Sequence, residues 1–200
     1  MNDEIKKYTV ISLFAGAGGL DCGIHQTGRF KILASVDFNK NCCEALKANR
    51  GKQGNGLVIH ADLSADSPKK VSVTDKRKKK VGKLNPLELL AKLNLKPGEV
   101  DLIVGGSPCQ SFSRAGKREG LNNPKGQLIY DYLRFVNVIK PKMFLFENVK
   151  GILDDKIEDS IRVVIEDLAK KAIKVGYEVQ GWLLNSANYG VPQSLSLIHI

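Results

Sequence analysis

The chain has 200 residues, 42% of them hydrophobic, enough for one ordinary globular domain with a sizeable core. It contains no apolar run of about eighteen residues, and its start, MNDEIKKYTVISLF, passes straight into a strand pattern without a secretory signal; a cytoplasmic protein with no membrane partner is expected. The formal net charge of +10 points to a polyanionic partner, while the four cysteines (Cys22, Cys42, Cys43 and Cys109) lack the spacing of a disulfide framework or a zinc site, so no metal is expected.

In chain order, YTVISLF (8–14), KILASVD (31–37), GLVIHADL (56–63), VDLIVGG (100–106) and KMFLFENV (142–149) read as short buried strands bounded by Gly, Pro or Asp. LDCGIHQTG opens a helix after the first strand, and NKNCCEALKANRG gives a second that ends at Gly51. Residues 126–139 place Leu128, Ile129, Tyr132, Leu133, Val136 and Ile139 on one helical face; residues 155–175 do the same with Ile157, Ile161, Val164, Ile165, Leu168 and Ala172. A last strand, YEVQGWLL, follows. This alternation predicts an α/β fold with a doubly wound, mostly parallel, Rossmann-like sheet and helices on both faces. Residues 65–97 interrupt it as a basic insertion: Lys69, Lys70, Lys76, Arg77, Lys78, Lys79, Lys80 and Lys83 against Asp75 give +7 of the net +10. Such a run is either a solvated loop or a phosphate-contacting arm.

Ligands of such sheets sit at the carboxyl ends of the strands. After the first strand come Gly16, Gly18 and Gly19, which permit a tight turn and close approach of a ligand. A dinucleotide fingerprint would need glycine at 21, where the chain has Asp21, a poor neighbour for a pyrophosphate. Asp37 lies 21 residues beyond Gly16, near the spacing at which a carboxylate meets a ribose hydroxyl. Phe38 could pack on an adenine, and Asp62 could accept from its amino group. S-adenosylmethionine offers ribose and adenine without phosphate; the plainer alternative is a tight strand–helix turn with two capping aspartates. A nicotinamide-dependent oxidoreductase is the other reading of such a sheet, and Asp21 counts against it.

Cys109 follows Pro108, which stiffens the turn, and polar and basic residues follow it. A cysteine hydrolase would want a histidine base, yet His25, His60 and His199 fall in a helix, a strand and the terminal tail. Glu147, at the end of the strand expected beside that of Cys109, is the better partner, because a carboxyl at an apolar edge can stay protonated and donate. A cysteine nucleophile, a carboxylic acid and a methyl-donor site together suit methylation of a pyrimidine at C5, where a thiolate must first add at C6.

The motifs ISLFAGAGGLDCG, SVDFNKNCCEAL, HADL, DLIVGGSPCQSFSRAGKREG, MFLFENVKGIL and NSANYGVPQ, in this order from residue 8 to Ser194, resemble the DNA (cytosine-5)-methyltransferases. The resemblance implies Cys109 as nucleophile and Glu147 as the residue holding cytosine N3 and its amino group. It implies S-adenosylmethionine bordered by Phe14, Ala15, Gly16, Gly18, Gly19 and Leu20, held by Asp37, Phe38, Asp62 and Leu63, and closed off by Pro108 and Leu128. Double-stranded DNA would meet Gln110, Ser111, Ser113, Arg114, Lys117, Arg118, Asn148 and Gln193, with 111–126 closing over an extruded base. A monomeric bacterial enzyme of a restriction–modification system is implied, acting in the cytoplasm or at the nucleoid. The catalytic domain is expected over 1–194. Leu195 and Leu197 stand where the family pattern has arginines, and the last six residues, LSLIHI, resemble translated adapter sequence and read as a non-native tail. The small domain that reads DNA is expected to be absent. A tRNA methyltransferase of the same family and an inactive fragment are the alternatives.

Overall fold

The computed structural model describes residues 6–53, 56–65, 81–107, 128–149, 160–191 and 196–199. Strands β1 (Tyr8–Leu13), β2 (Phe30–Asp37), β3 (Leu57–His60), β4 (Leu102–Gly105), β5 (Met143–Val149), β6 (Trp182–Asn185) and β7 (Ser196–His199) form one sheet in the order β3-β2-β1-β4-β5-β7-β6. The four pairings among the first five strands are parallel, and β7 runs antiparallel to both β5 and β6. Helices α1 (Gly19–Gln26), α2 (Lys40–Gln53), α3 (Pro86–Leu93), α4 (Leu128–Ile139) and α5 (Ser160–Lys174) join them. The doubly wound, mostly parallel sheet expected from the alternation is the one observed.

The strands are apolar on both sides because helices cover both faces. Ile11, Leu13, Ile103 and Phe146 point into a cluster with Leu89 and Leu90 of α3 and Ile129, Tyr132, Phe135 and Val136 of α4. Their neighbours Val10, Leu102 and Val104 point the other way, against Leu20 and Ile24 of α1. The buried Tyr132 hydroxyl donates towards Ile103 O and Leu145 O, tying α4 to the two central strands.

The segment expected as an insertion over 65–97 is only partly one. Asn85 accepts from Glu88 N at 2.9 Å while Glu88 accepts from Asn85 N at 3.1 Å, a reciprocal cap that starts α3 at Pro86. Leu84, Leu89 and Leu90 are buried, so the C-terminal part of this segment is core. The lysine-rich 69–80 lies outside the described residues. The last strand reads longer in sequence (177–184) than it is, since only Trp182–Asn185 pairs. The segment read as a non-native tail supplies β7, with Leu197 in register with Val149 and Leu184.

Candidate active site

The loop between β1 and α1 is fixed by its neighbour strand. Ala15 N donates to Val36 O at 3.1 Å, and Gly16 N donates to the Asp37 carboxylate at 2.8 Å. Asn39 N donates to the other carboxylate oxygen at 2.7 Å. Gly18 requires glycine on two grounds: its φ is 93°, and a Cβ would stand 2.7 Å from Leu46 Cδ2. A Cβ at Gly16 or Gly19 would meet nothing within 4 Å, so the loop faces open space there. Phe14, at the strand end, also has positive φ, 53°, and packs against the core.

Asp37 spends two acceptor positions on backbone and keeps the remaining lone pairs for a ligand. Phe38, beside it, is 60% exposed and presents a free ring. Open glycines, a carboxylate with spare acceptors and an exposed aromatic fit an adenosyl group. Asp21 does not face this space. Its carboxylate is fully buried and accepts from Ser35 Oγ, which in turn accepts from the buried Arg50 Nη2 at 2.6 Å. The objection to a pyrophosphate that rested on Asp21 therefore loses its physical basis: the helix turns that carboxylate beneath the loop.

At the end of β3, Asp62 caps Ser64 N at 2.9 Å and bridges to the strand-like residues 82–84. Leu63, expected against the adenine, is 3% exposed and belongs to the core; Arg134 Nη2 holds its carbonyl at 2.6 Å. Asp131, buried on α4, accepts from Ala65 N at 2.7 Å. Burial pushes the Asp131 carboxyl up, opposed by the Ala65 N–H and by Arg134. Helix α4 thus holds the 62–65 turn through two side chains that sequence reading passed over. Leu128 stands at its start, half-buried.

The second strand end with candidate residues lies between β4 and β5. Gly105 pairs with Phe146, and one residue further Gly106 lies against Glu147. Glu147 is half-buried, no described residue donates to its carboxylate, and burial raises its pKa above the ordinary carboxylate value. Asn148, expected to touch DNA, is instead 2% exposed. Its side-chain amide donates to Ser107 O at 3.2 Å, because β5 turns alternate side chains inward and this one finds the buried turn after β4. The structure therefore brings Gly16, Asp37 and Phe38 together at one strand end, and Glu147 and the β4 turn at another. Pro108, Cys109, Gln110, Ser111, Ser113, Arg114, Lys117, Arg118 and Gln193 lie outside the described residues. No helix among the described residues is long and apolar enough to cross a membrane.

A family model described as C-5 cytosine-specific DNA methylase matches residues 8–194. Among curated relatives, the Type II methyltransferase M.AquIA of Picosynechococcus is 36% identical over 188 residues, covering 92% of this chain and 67% of that protein. M.NgoFVII of Neisseria gonorrhoeae is 34% identical over 193 residues, covering 96% of this chain but 43% of the relative. Among solved structures, a DNA modification methyltransferase encoded within an E. coli prophage superposes with TM-score 0.68 at 25% identity, over 96% of this chain and 45% of that one. The Dnmt2 methyltransferase of S. pombe, at TM-score 0.61 and 22% identity, shares the fold. The chain thus spans from under half to two thirds of the length of these proteins.

Proposed function

Because the chain belongs to the C-5 cytosine-specific DNA methylase family, we propose that it is the catalytic part of a DNA cytosine-5 methyltransferase of a bacterial restriction–modification system, acting as a monomer in the cytoplasm on double-stranded DNA. The Type II methyltransferase names of its relatives favour DNA over tRNA. The observation that carries the reading is Glu147: a half-buried carboxyl, biased towards its protonated form, at the carboxyl edge of β5 beside the turn that leads to Cys109.

In this reading Cys109 adds as a thiolate to C6 of a cytosine turned out of the duplex, its sulfur electron pair forming the new bond. Glu147 donates a proton or hydrogen bond at N3, so the displaced charge settles there and C5 becomes nucleophilic. Phe14, Ala15, Gly16, Gly18, Gly19, Leu20, Asp37, Phe38, Asp62 and Leu128 would border S-adenosylmethionine, with Leu63 supporting the pocket through its backbone. When bound, S-adenosylmethionine supplies an electrophilic methyl group on a sulfonium sulfur. Once C5 has bonded the methyl and the broken S–C pair has stayed on that sulfur, loss of the C5 proton to water restores the C5–C6 double bond and expels the Cys109 thiolate. Arg114, Lys117 and Arg118 would offset the cost of base extrusion by phosphate contacts.

The test is covalent trapping on mixed-sequence duplex DNA carrying 5-fluorocytosine, with S-adenosylmethionine present, read on a denaturing gel. The native chain is expected to trap, Cys109→Ala to give no adduct, and Glu147→Gln to trap at least ~100-fold more slowly. An adduct retained by Cys109→Ala would remove Cys109 from the reaction.

A further inference from the structure

We propose that Gly106 is a positioning residue for Glu147, the absent side chain at 106 being the space in which the Glu147 carboxylate lies. The inference rests on the reading of Glu147 as the acid of the reaction. A Cβ built at Gly106 would stand 2.4 Å from Glu147 Oε2, 3.6 Å from its Cδ and 3.3 Å from its carbonyl oxygen. The first of these is closer than real Cβ contacts come. Backbone conformation does not explain the glycine, since Gly106 is absent from the positive-φ residues and alanine could adopt its geometry. What glycine provides here is room for one carboxylate.

The backbone cannot yield that room by drawing away. Buried Asn148 donates from Nδ2 to Ser107 O at 3.2 Å and lies within 3.4 Å of Ser107 Oγ, while its Oδ1 accepts from Val149 N at 2.9 Å. Gly105, on the other side, is packed against Leu13 O, which a Cβ would approach to 2.4 Å. Held on both sides, residue 106 stays against β5. A methyl group there must displace the soft end of the contact, the Glu147 carboxylate, which then swings towards solvent while the sheet stays intact.

The experiment compares the native chain with Gly106→Ala, using carboxylate carbon NMR of labelled glutamate through a pH titration, with Glu147→Gln identifying the resonance. Glu147 is expected to titrate above the other glutamates in the native chain and to fall back among them in Gly106→Ala. Trapping on 5-fluorocytosine DNA is expected to slow by about 100-fold, as for a catalytic group misplaced by roughly 1 Å, with S-adenosylmethionine affinity unchanged. Should Gly106→Ala fold poorly, its loss of melting temperature is expected to vanish in the Glu147→Ala background. An unmoved Glu147 titration, or an equal melting loss with and without Glu147, overturns the proposal and makes Gly106 a matter of backbone packing. A native chain that traps nothing overturns the functional reading instead, and the titration and the melting comparison still decide the role of Gly106.

Discussion

Removing the Asp37 carboxylate should separate cofactor binding from everything else the domain does. In the structure it accepts Gly16 N at 2.8 Å and Asn39 N at 2.7 Å, so Asp37→Ala frees both amides. Neither is deeply buried, water replaces the lost acceptor, and the loss of order in the glycine loop costs about 1 kcal/mol. A charge-assisted bond to a ribose hydroxyl adds about 2 kcal/mol. Together these weaken S-adenosylmethionine by about 3 kcal/mol, roughly 150-fold in Kd. Calorimetric titration of the cofactor into native and Asp37→Ala protein reads this directly, alongside DNA retention on filters, which should change little. Asp37→Asn should be nearly as damaging, because its amide nitrogen must face one of the two backbone N–H groups. A Kd within about threefold of native would refute the reasoning and leave Asp37 as a cap for the turn alone.

Two further outcomes follow from charges elsewhere. The Asp101 carboxyl is held down at about 2, first by the Lys142 ammonium at 2.6 Å and then by Thr9, whose N and Oγ1 donate at 2.8 and 2.9 Å. A carboxyl lowered on folding stabilises fully above its unfolded pKa of 3.8, and the contribution disappears as pH falls towards 2. Allowing for solvent screening it is about 1–2 kcal/mol, so Asp101→Asn should flatten urea-unfolding midpoints between pH 2 and 5; an unchanged slope refutes it. Deleting residues 69–80, which carry +6 and stop short of the bridge between Asp62 and Lys83, should flatten the salt dependence of non-specific DNA binding measured by filter retention. An unaltered slope would make that run a solvated loop.

The five parallel strands were legible because each lies in a short apolar run bounded by Gly, Pro or Asp, and a parallel sheet covered on both faces needs such runs. Asp37 was legible from spacing, since strand and helix lengths fix how far the second strand end lies from the glycine loop. Asp21 was not, because its partner Ser35 comes 14 residues later on another element and no local pattern joins them; charge beside a glycine loop reads as a statement about ligands. Asn85-Pro86-Leu87-Glu88 spells the start of helix α3, although the lysine run before it makes the whole segment look like a charged loop. The family resemblance put Asn148 on the DNA, although the two-residue period of β5 already put it on the opposite side from Glu147. Gly106 gives no signal in the sequence. Two adjacent glycines look alike there, and only the position of the Glu147 carboxylate tells them apart.

The edge of β5 shows how one residue type can set the chemistry of another. β7 lies in the slot beside β5, with His199 in register with Glu147, Ile198 with Asn148 and Leu197 with Val149. Strand pairing uses backbone groups, so a short extended segment such as SLIH fills that slot without a special side-chain pattern. Position 197, where an arginine was expected, carries no charge. An arginine close to a half-buried carboxyl would lower its pKa and oppose the effect of burial. Among the described residues burial is the cause of its shift, and it displaces Glu147 towards the neutral acid. In the proposed reaction that bias favours donation at cytosine N3, and the fit of the carboxylate against Gly106 is what keeps it half-buried.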